Sequence, residues 1–280
     1  MRTRATLAAV SALTGALALT ALTAPAAQAV DSGTPYTLDV SFSNFKIASA
    51  IKVGTTNEVS AKVTYTLTHG SDVDITADDF FTDAFIYRGS FDDPTNEIYD
   101  HDFSTCTTTS STTATCTGSV DIDPAEGDLT NADAGTWHAA AEATAFNGQD
   151  PSSSSIDYSK VGYKDQGALA TTLVQRYSKL TVNAGPEPVY KGKTITSTGK
   201  LSRANWEDGQ YHGYTVQPVK LQFRKAGTTT YTTVKTVTSD SSGNVKATAT
   251  AAYDGYWRFS FAGTSTTPAV SATGDYVDVK

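Results

Sequence analysis

Three stretches of the 280-residue chain crowd carboxylates closely enough for one loop to present several together. The first runs from Asp72 and Asp74 to Asp78 and Asp79. The second runs from Asp92 and Asp93 to Asp100-His101-Asp102. The third, DIDPAEGDLTNAD, carries Asp121, Asp123, Glu126, Asp128 and Asp133. Calcium is a hard cation that takes six to eight oxygens, and flexible carboxylate loops suit it. The third stretch therefore supplies the predicted metal ligands, with calcium as the cofactor. It is not an EF-hand: counting from Asp121, Asp123 fits the third place, but Ala125 and Glu126 stand at the fifth and sixth. The competing reading is a set of solvated turns in which each Asp accepts from its own backbone.

A second chemistry is offered by Ala204 to Tyr214, where Trp206, Tyr211 and Tyr214 sit among polar residues. Aromatic faces flanked by carboxylates hold sugar rings, so these three are the candidate ligand-binding residues for a polysaccharide. The alternative is that the rings cap the core or face the preceding domain. His69, His101, His138 and His212 are scattered, and none lies in a zinc-protease motif. There is no serine elbow, phosphate-binding loop or dinucleotide glycine fingerprint. No catalytic residue is assigned, and the reading is non-enzymatic. A hydrolase working through loop carboxylates is the third alternative.

The elements that must position these residues are strands. Val, Thr, Tyr, Phe and Trp are frequent and Gly/Ser/Asn/Asp turns recur, which is an all-β composition. In the first part, strands are predicted at 36–45, 59–67, 80–88, 97–106, 114–122, 137–146 and 169–177. Cys106 and Cys116, an even pair in an exported chain, are expected to join the fourth and fifth of these as a disulfide-bonded hairpin. In the last part, Trp257, Phe259 and Phe261 alternate with Tyr256, Arg258 and Ser260, the period of a strand with one buried face. Val219, Leu221 and Phe223 alternate with Lys220, Gln222 and Arg224 in the same way. Asp254-Gly255-Tyr256 resembles a tyrosine corner.

Residues 1–29 read as a secretory signal peptide, with Arg2 and Arg4 before an apolar run and Ala27-Gln28-Ala29 at the cut. The run is too short for a membrane span. Charge then divides the chain. Residues 30–180 hold 22 acidic and 8 basic side chains, and residues 181–280 hold 7 and 11. Opposite signs support two domains, 30–177 and 178–280, and the acidic one disfavours nucleic acid. An unidentified extracellular partner or a polysaccharide is the expected ligand.

The segments LTVNAGPEPVYKGKTITSTGKLSRANW, VKLQFRKAGTTTYTTVKTV and DGYWRFSFAGTSTTPAVSATGDYVDVK resemble the carboxyl-terminal module of exported actinobacterial proteins. The resemblance covers about residues 178–280, with the preceding part alike only in layout. It implies an Ig-like β-sandwich after a more variable one, and some members carry the label calcium-binding without a transferable ligand set. The expected architecture is thus two tandem immunoglobulin/fibronectin-like β-sandwiches after a cleaved signal peptide. The expected role is a secreted, non-catalytic binding or surface-associated module.

Overall fold

The computed structural model describes residues 33–280; the stretch read as a signal peptide lies outside them. The described chain is built from strands, with two one-turn 3-10 helices, Asn131–Asp133 and Tyr158–Lys160.

Ten strands form the first sandwich: β1 (Tyr36–Thr37), β2 (Val40–Lys46), β3 (Ala50–Val53), β4 (Val59–His69), β5 (Phe80–Gly89), β6 (Pro94–Ile98), β7 (Thr105–Ser110), β8 (Thr113–Ile122), β9 (Gly135–Ala145) and β10 (Gly162–Arg176). One sheet has the order β2-β4-β8-β7. The other runs β10-β9-β5-β6, with the short β1 and β3 pairing parallel to β10. Four antiparallel strands against four, cross-connected, is the immunoglobulin arrangement. Alternation decides which side chains face inward. On β4, Ala61, Val63, Tyr65 and Leu67 are buried against Val120 and Ile122 of β8 and Trp137 of β9.

The strand expected at 97–106 is two strands in different sheets. β6 pairs with β5, β7 pairs with β8, and residues 99–104 cross between the sheets. Cys106 and Cys116 face each other across β7 and β8 and are disulfide-bonded. Asp100 at the crossing accepts from Ser119 N at 2.8 Å, which satisfies backbone that the sheet switch leaves unpaired.

The second sandwich sets β11 (Ser178–Leu180), β12 (Asn183–Gly185), β13 (Thr194–Asn205), β14 (Gln210–Gly213) and β17 (Asn244–Thr250) against β15 (Pro218–Lys225), β16 (Thr232–Thr238), β18 (Gly255–Phe261), β19 (Val270–Ser271) and β20 (Asp275–Val277). The second sheet has the order β16-β15-β18, followed by β19 and β20. Trp257, Phe259 and Phe261 are buried with Val219, Leu221 and Val277. Tyr256 is not a tyrosine corner: it points outward and meets Tyr276 edge-on at 5.2 Å. The backbone at Gly213 lies against that of Ser242 and Gly243, and a Cβ at Gly213 would come within 2.0 Å of the Ser242 carbonyl oxygen. Only glycine permits that approach.

The stretch from Ala204 to Tyr214 is the tip and return of the β13–β14 hairpin, paired through Asn205 and Gln210. This hairpin carries the seam between the sandwiches. Ala204 and Trp206 belong to the first core, and Trp206 is only 4% exposed. Its indole N–H donates to Gly54 O at 2.9 Å. Around it, Arg176 Nε donates to Ala204 O at 2.6 Å, Ala204 N donates to Tyr177 O at 2.8 Å, and Asn131 Nδ2 donates to Asn205 Oδ1.

Candidate metal site

The five predicted calcium ligands are not gathered into one site. Asp123 Oδ1 accepts from Ala125 N at 2.8 Å, and Asp128 Oδ2 accepts from Asp123 N at 2.7 Å. Asp133 Oδ2 closes the 3-10 turn by accepting from Thr130 N and Thr130 Oγ1, and Oδ1 faces Arg88 at 3.8 Å. Glu126 is exposed at the turn. Three of these carboxylates thus satisfy nearby backbone N–H groups, the work that Asp does in turns.

Asp121 is the exception. It lies on β8 directly opposite Ser60 of β4 and points away from the core, yet it is only 8% exposed. The crossing segment 99–104 covers it, and His101 N donates to its Oδ2 at 3.2 Å. Burial opposes its ionisation. Polar contacts with the Ser60 and Asp100 side chains and the His101 N–H outweigh burial and hold the carboxyl below its usual range. Oδ1 is buried and has no hydrogen-bond partner. Ligand atoms of Glu58, His101 and Asp121 lie within 4.8 Å of one another, and His101 Nε2 stands 3.2 Å from Glu58 Oε1. This is the one group of three or more metal-capable side chains found among the described residues. Glu58 just precedes β4, so the β4–β8 register brings it beside Asp121, 63 residues later in the chain.

Further carboxylates lie on the outer face of the β10-β9-β5-β6 sheet of the same sandwich. The register sets Asp83 of β5 opposite Glu142 of β9, and Glu142 opposite Asp165 of β10. Tyr163 donates to Glu142 Oε2 at 2.9 Å, and Tyr99 stacks on Phe85 at 4.5 Å between ring centres. Asp83 is 7% exposed, and its hydrogen bond is from Ala84 N at 2.7 Å. Burial pushes its carboxyl up to about 8. The Ala84 N–H opposes that rise, and the charges of Asp100, Glu142 and Asp121 add to it. Burial also raises Glu142, against the hydrogen bond from Tyr163. Neither Asp83 nor Glu142 is paired with a lysine or arginine. A carboxylate inside an otherwise apolar strand, as in FFTDAFIY and WHAAAEATAF, was the available signal for this row; composition by loop missed it.

The aromatic candidates are separated. Trp206 is buried in the seam and presents no face to a sugar. Tyr211 lies under Lys179, whose Nζ is 3.5 Å from the ring centre. Tyr214 packs edge-on against Phe261 at 5.7 Å, with Arg203 at 4.0 Å from its ring. The three rings serve two cores and their junction.

No helix among the described residues is long and apolar enough to cross a membrane. No protein-family model and no curated protein matches the chain. Among solved structures, the adhesin InvE of Yersinia pseudotuberculosis is similar over 85% of this chain and 60% of its own, at 12% identity and a TM-score of 0.27. An amphioxus IgVJ-C2 molecule is similar over 82% of this chain and 99% of its own, at 11% identity and a TM-score of 0.25. The mouse nectin-like molecule 4 ectodomain is similar over 88% and 65%, at 11% identity and a TM-score of 0.24. The chain spans about three-fifths of the adhesin chain's length, and likeness at this level says nothing of what the chain binds.

Proposed function

We propose that the chain is an extracellular, non-catalytic binding module whose first sandwich is fixed by a divalent cation, calcium, at the carboxylates of Glu58 and Asp121, beside His101. The observation that carries this reading is the buried, hydrogen-bond-free Oδ1 of Asp121 inside a close group of ligand atoms. The neighbours of Asp121 favour its ionised form, which is the form a cation needs, and the unpartnered Oδ1 is left to accept one. Calcium is preferred over a softer ion because carboxylate and hydroxyl oxygens dominate the surroundings, with the Asp100 and Ser60 side chains in contact with Asp121. The cation would tie β4, β8 and the crossing segment together at the corner where the chain changes sheets. The disulfide two residues beyond that segment supports an oxidising, extracellular setting.

The test is thermal unfolding in EDTA and in millimolar calcium. Binding to the folded state raises stability by about 2.7 kcal/mol at 100 times the dissociation constant. Asp121→Asn should remove the shift and Asp123→Asn should leave it intact. A shift lost with Asp123→Asn but kept with Asp121→Asn would return the site to the turn. A shift with zinc and none with calcium would reassign the ion, and no shift with either would end the reading.

A further inference from the structure

The second sandwich carries the opposite chemistry on its outer sheet face. The β15–β18 register sets Arg224 opposite Tyr256 and Gln222 opposite Arg258, and β20 sets Tyr276 opposite Tyr256. Tyr231, just before β16, lies over both arginines. The Arg258 guanidinium is 3.8 Å from its ring centre, and that of Arg224 is 5.3 Å away. Arg224 is also 4.1 Å from the Tyr256 ring. Arg258 Nε donates to Gln222 Oε1 at 2.8 Å and Arg224 Nη1 donates to Thr228 O at 2.6 Å. No carboxylate is ion-paired with either guanidinium. At the end of this row a surface depression is lined by Lys191, Lys225, Tyr253, Asp254 and Lys280, with Lys225 Nζ 4.3 Å from the Tyr253 ring centre. Two acids stand near the cations, and each is held by a backbone N–H: Asp254 Oδ1 accepts from Val279 N within the depression, and Asp275 Oδ2 accepts from Ala184 N.

A guanidinium laid on a tyrosine is fixed in plane before any ligand arrives, so little freedom is lost when its remaining N–H groups grip an anion. Three tyrosines, Tyr231, Tyr256 and Tyr276, interleaved with two guanidiniums on a twisted sheet face match a linear polymer with sugar faces to stack and carboxylates to fork. A nucleic acid matches less well. Its charge is dense along the helix axis and its bases are stacked inside the duplex, out of reach of tyrosine faces.

We infer that the outer face of β15 and β18, through Arg224, Arg258, Tyr231 and Tyr256 and the adjoining Lys191 and Lys225, is a docking surface for a linear polysaccharide bearing carboxylates. It is independent of the cation site.

The experiment is affinity electrophoresis of the chain from Val30 onward through gels containing polygalacturonate, neutral dextran or duplex DNA, at low salt and in EDTA. The chelator keeps calcium bridging at the first sandwich out of the measurement, so the two readings fail separately. Polygalacturonate should retard the protein, dextran should not, and added salt should weaken the retardation. Arg224→Gln with Arg258→Gln should lower affinity about 10-fold, the scale of losing two charge-assisted forks, with the unfolding midpoint little changed. Should that double variant fail to fold, Lys191→Gln with Lys225→Gln, at exposed end positions, should lower affinity about 3-fold. No retardation by polygalacturonate would overturn the inference. So would equal retardation of these folded variants, or tighter binding of DNA than of polygalacturonate.

Discussion

The two sandwiches share an architecture and handle charge in opposite ways. The first buries carboxylates: Asp83 and Asp121 are each less than a tenth exposed, and Asp83 stands opposite Glu142 across two strands. The second keeps its cations on the surface and lays them on rings, Arg258 over Tyr231 and Arg224 over Tyr256. A buried carboxylate without a cation lowers the stability of the fold that holds it, whereas a half-exposed arginine laid on a tyrosine costs little. The first arrangement is thus poised to gain stability from a ligand. The second is poised to gain affinity without altering stability.

That contrast can be broken most directly at Asp83. Its carboxyl is raised from 3.8 to about 8, so the folded state keeps a proton that the unfolded state has released. Stability from this group is fully present below about pH 4 and is lost as pH rises toward 8. Asp83→Asn should remove that slope and stabilise the chelated protein at pH 9, with a ceiling of about 5 kcal/mol, while changing little at pH 3. Urea unfolding at the two pH values checks it; a flat difference would mean that water reaches the carboxylate.

Next in size is the seam. Trp206→Ala removes an indole from the first core although it belongs to a hairpin of the second, and should cost about 3–5 kcal/mol. Calorimetry should then show the first sandwich melting earlier and apart from the second. A loss confined to the second sandwich would contradict the shared core. Replacing Cys106 and Cys116 together by Ala should cost about 2–3 kcal/mol, read as a lower denaturant midpoint in the first sandwich alone. The smallest effect is expected on the other side of the comparison. Arg258→Gln should change stability by less than about 1 kcal/mol, because a cation–π contact at a partly exposed site is worth no more.

Much of the frame was legible because single strands advertise it. Trp257, Phe259 and Phe261 had to share a face, and the two cysteines had few alternatives. What escaped depends on register between distant segments. Glu58 and Asp121 meet only because β4 pairs with β8, and the row Asp83, Glu142 and Asp165 needs three strands aligned. The acidic turn of Asp123, Asp128 and Asp133 had the composition of a metal loop, but its carboxylates went to nearby backbone N–H groups. Trp206 was visible as an aromatic among polar residues; that its neighbours were Val53 and Gly54 was not. The sheet switch at 99–104 was hidden because both flanking segments have strand composition, and only the partner of each distinguishes them.

The same tryptophan has a consequence for how the chain is made. Its hydrogen-bond partner Gly54 lies 152 residues earlier. At a synthesis rate of roughly 5–20 residues per second, that interval lasts about 8–30 s. During it every strand of the first sandwich has emerged, yet the place for the indole beside Val53 is unfilled. The amino-terminal unit therefore cannot reach its final form as an independent nascent domain. It waits for the first hairpin of its successor, and a chain arrested before residue 206 carries an open wedge in its core.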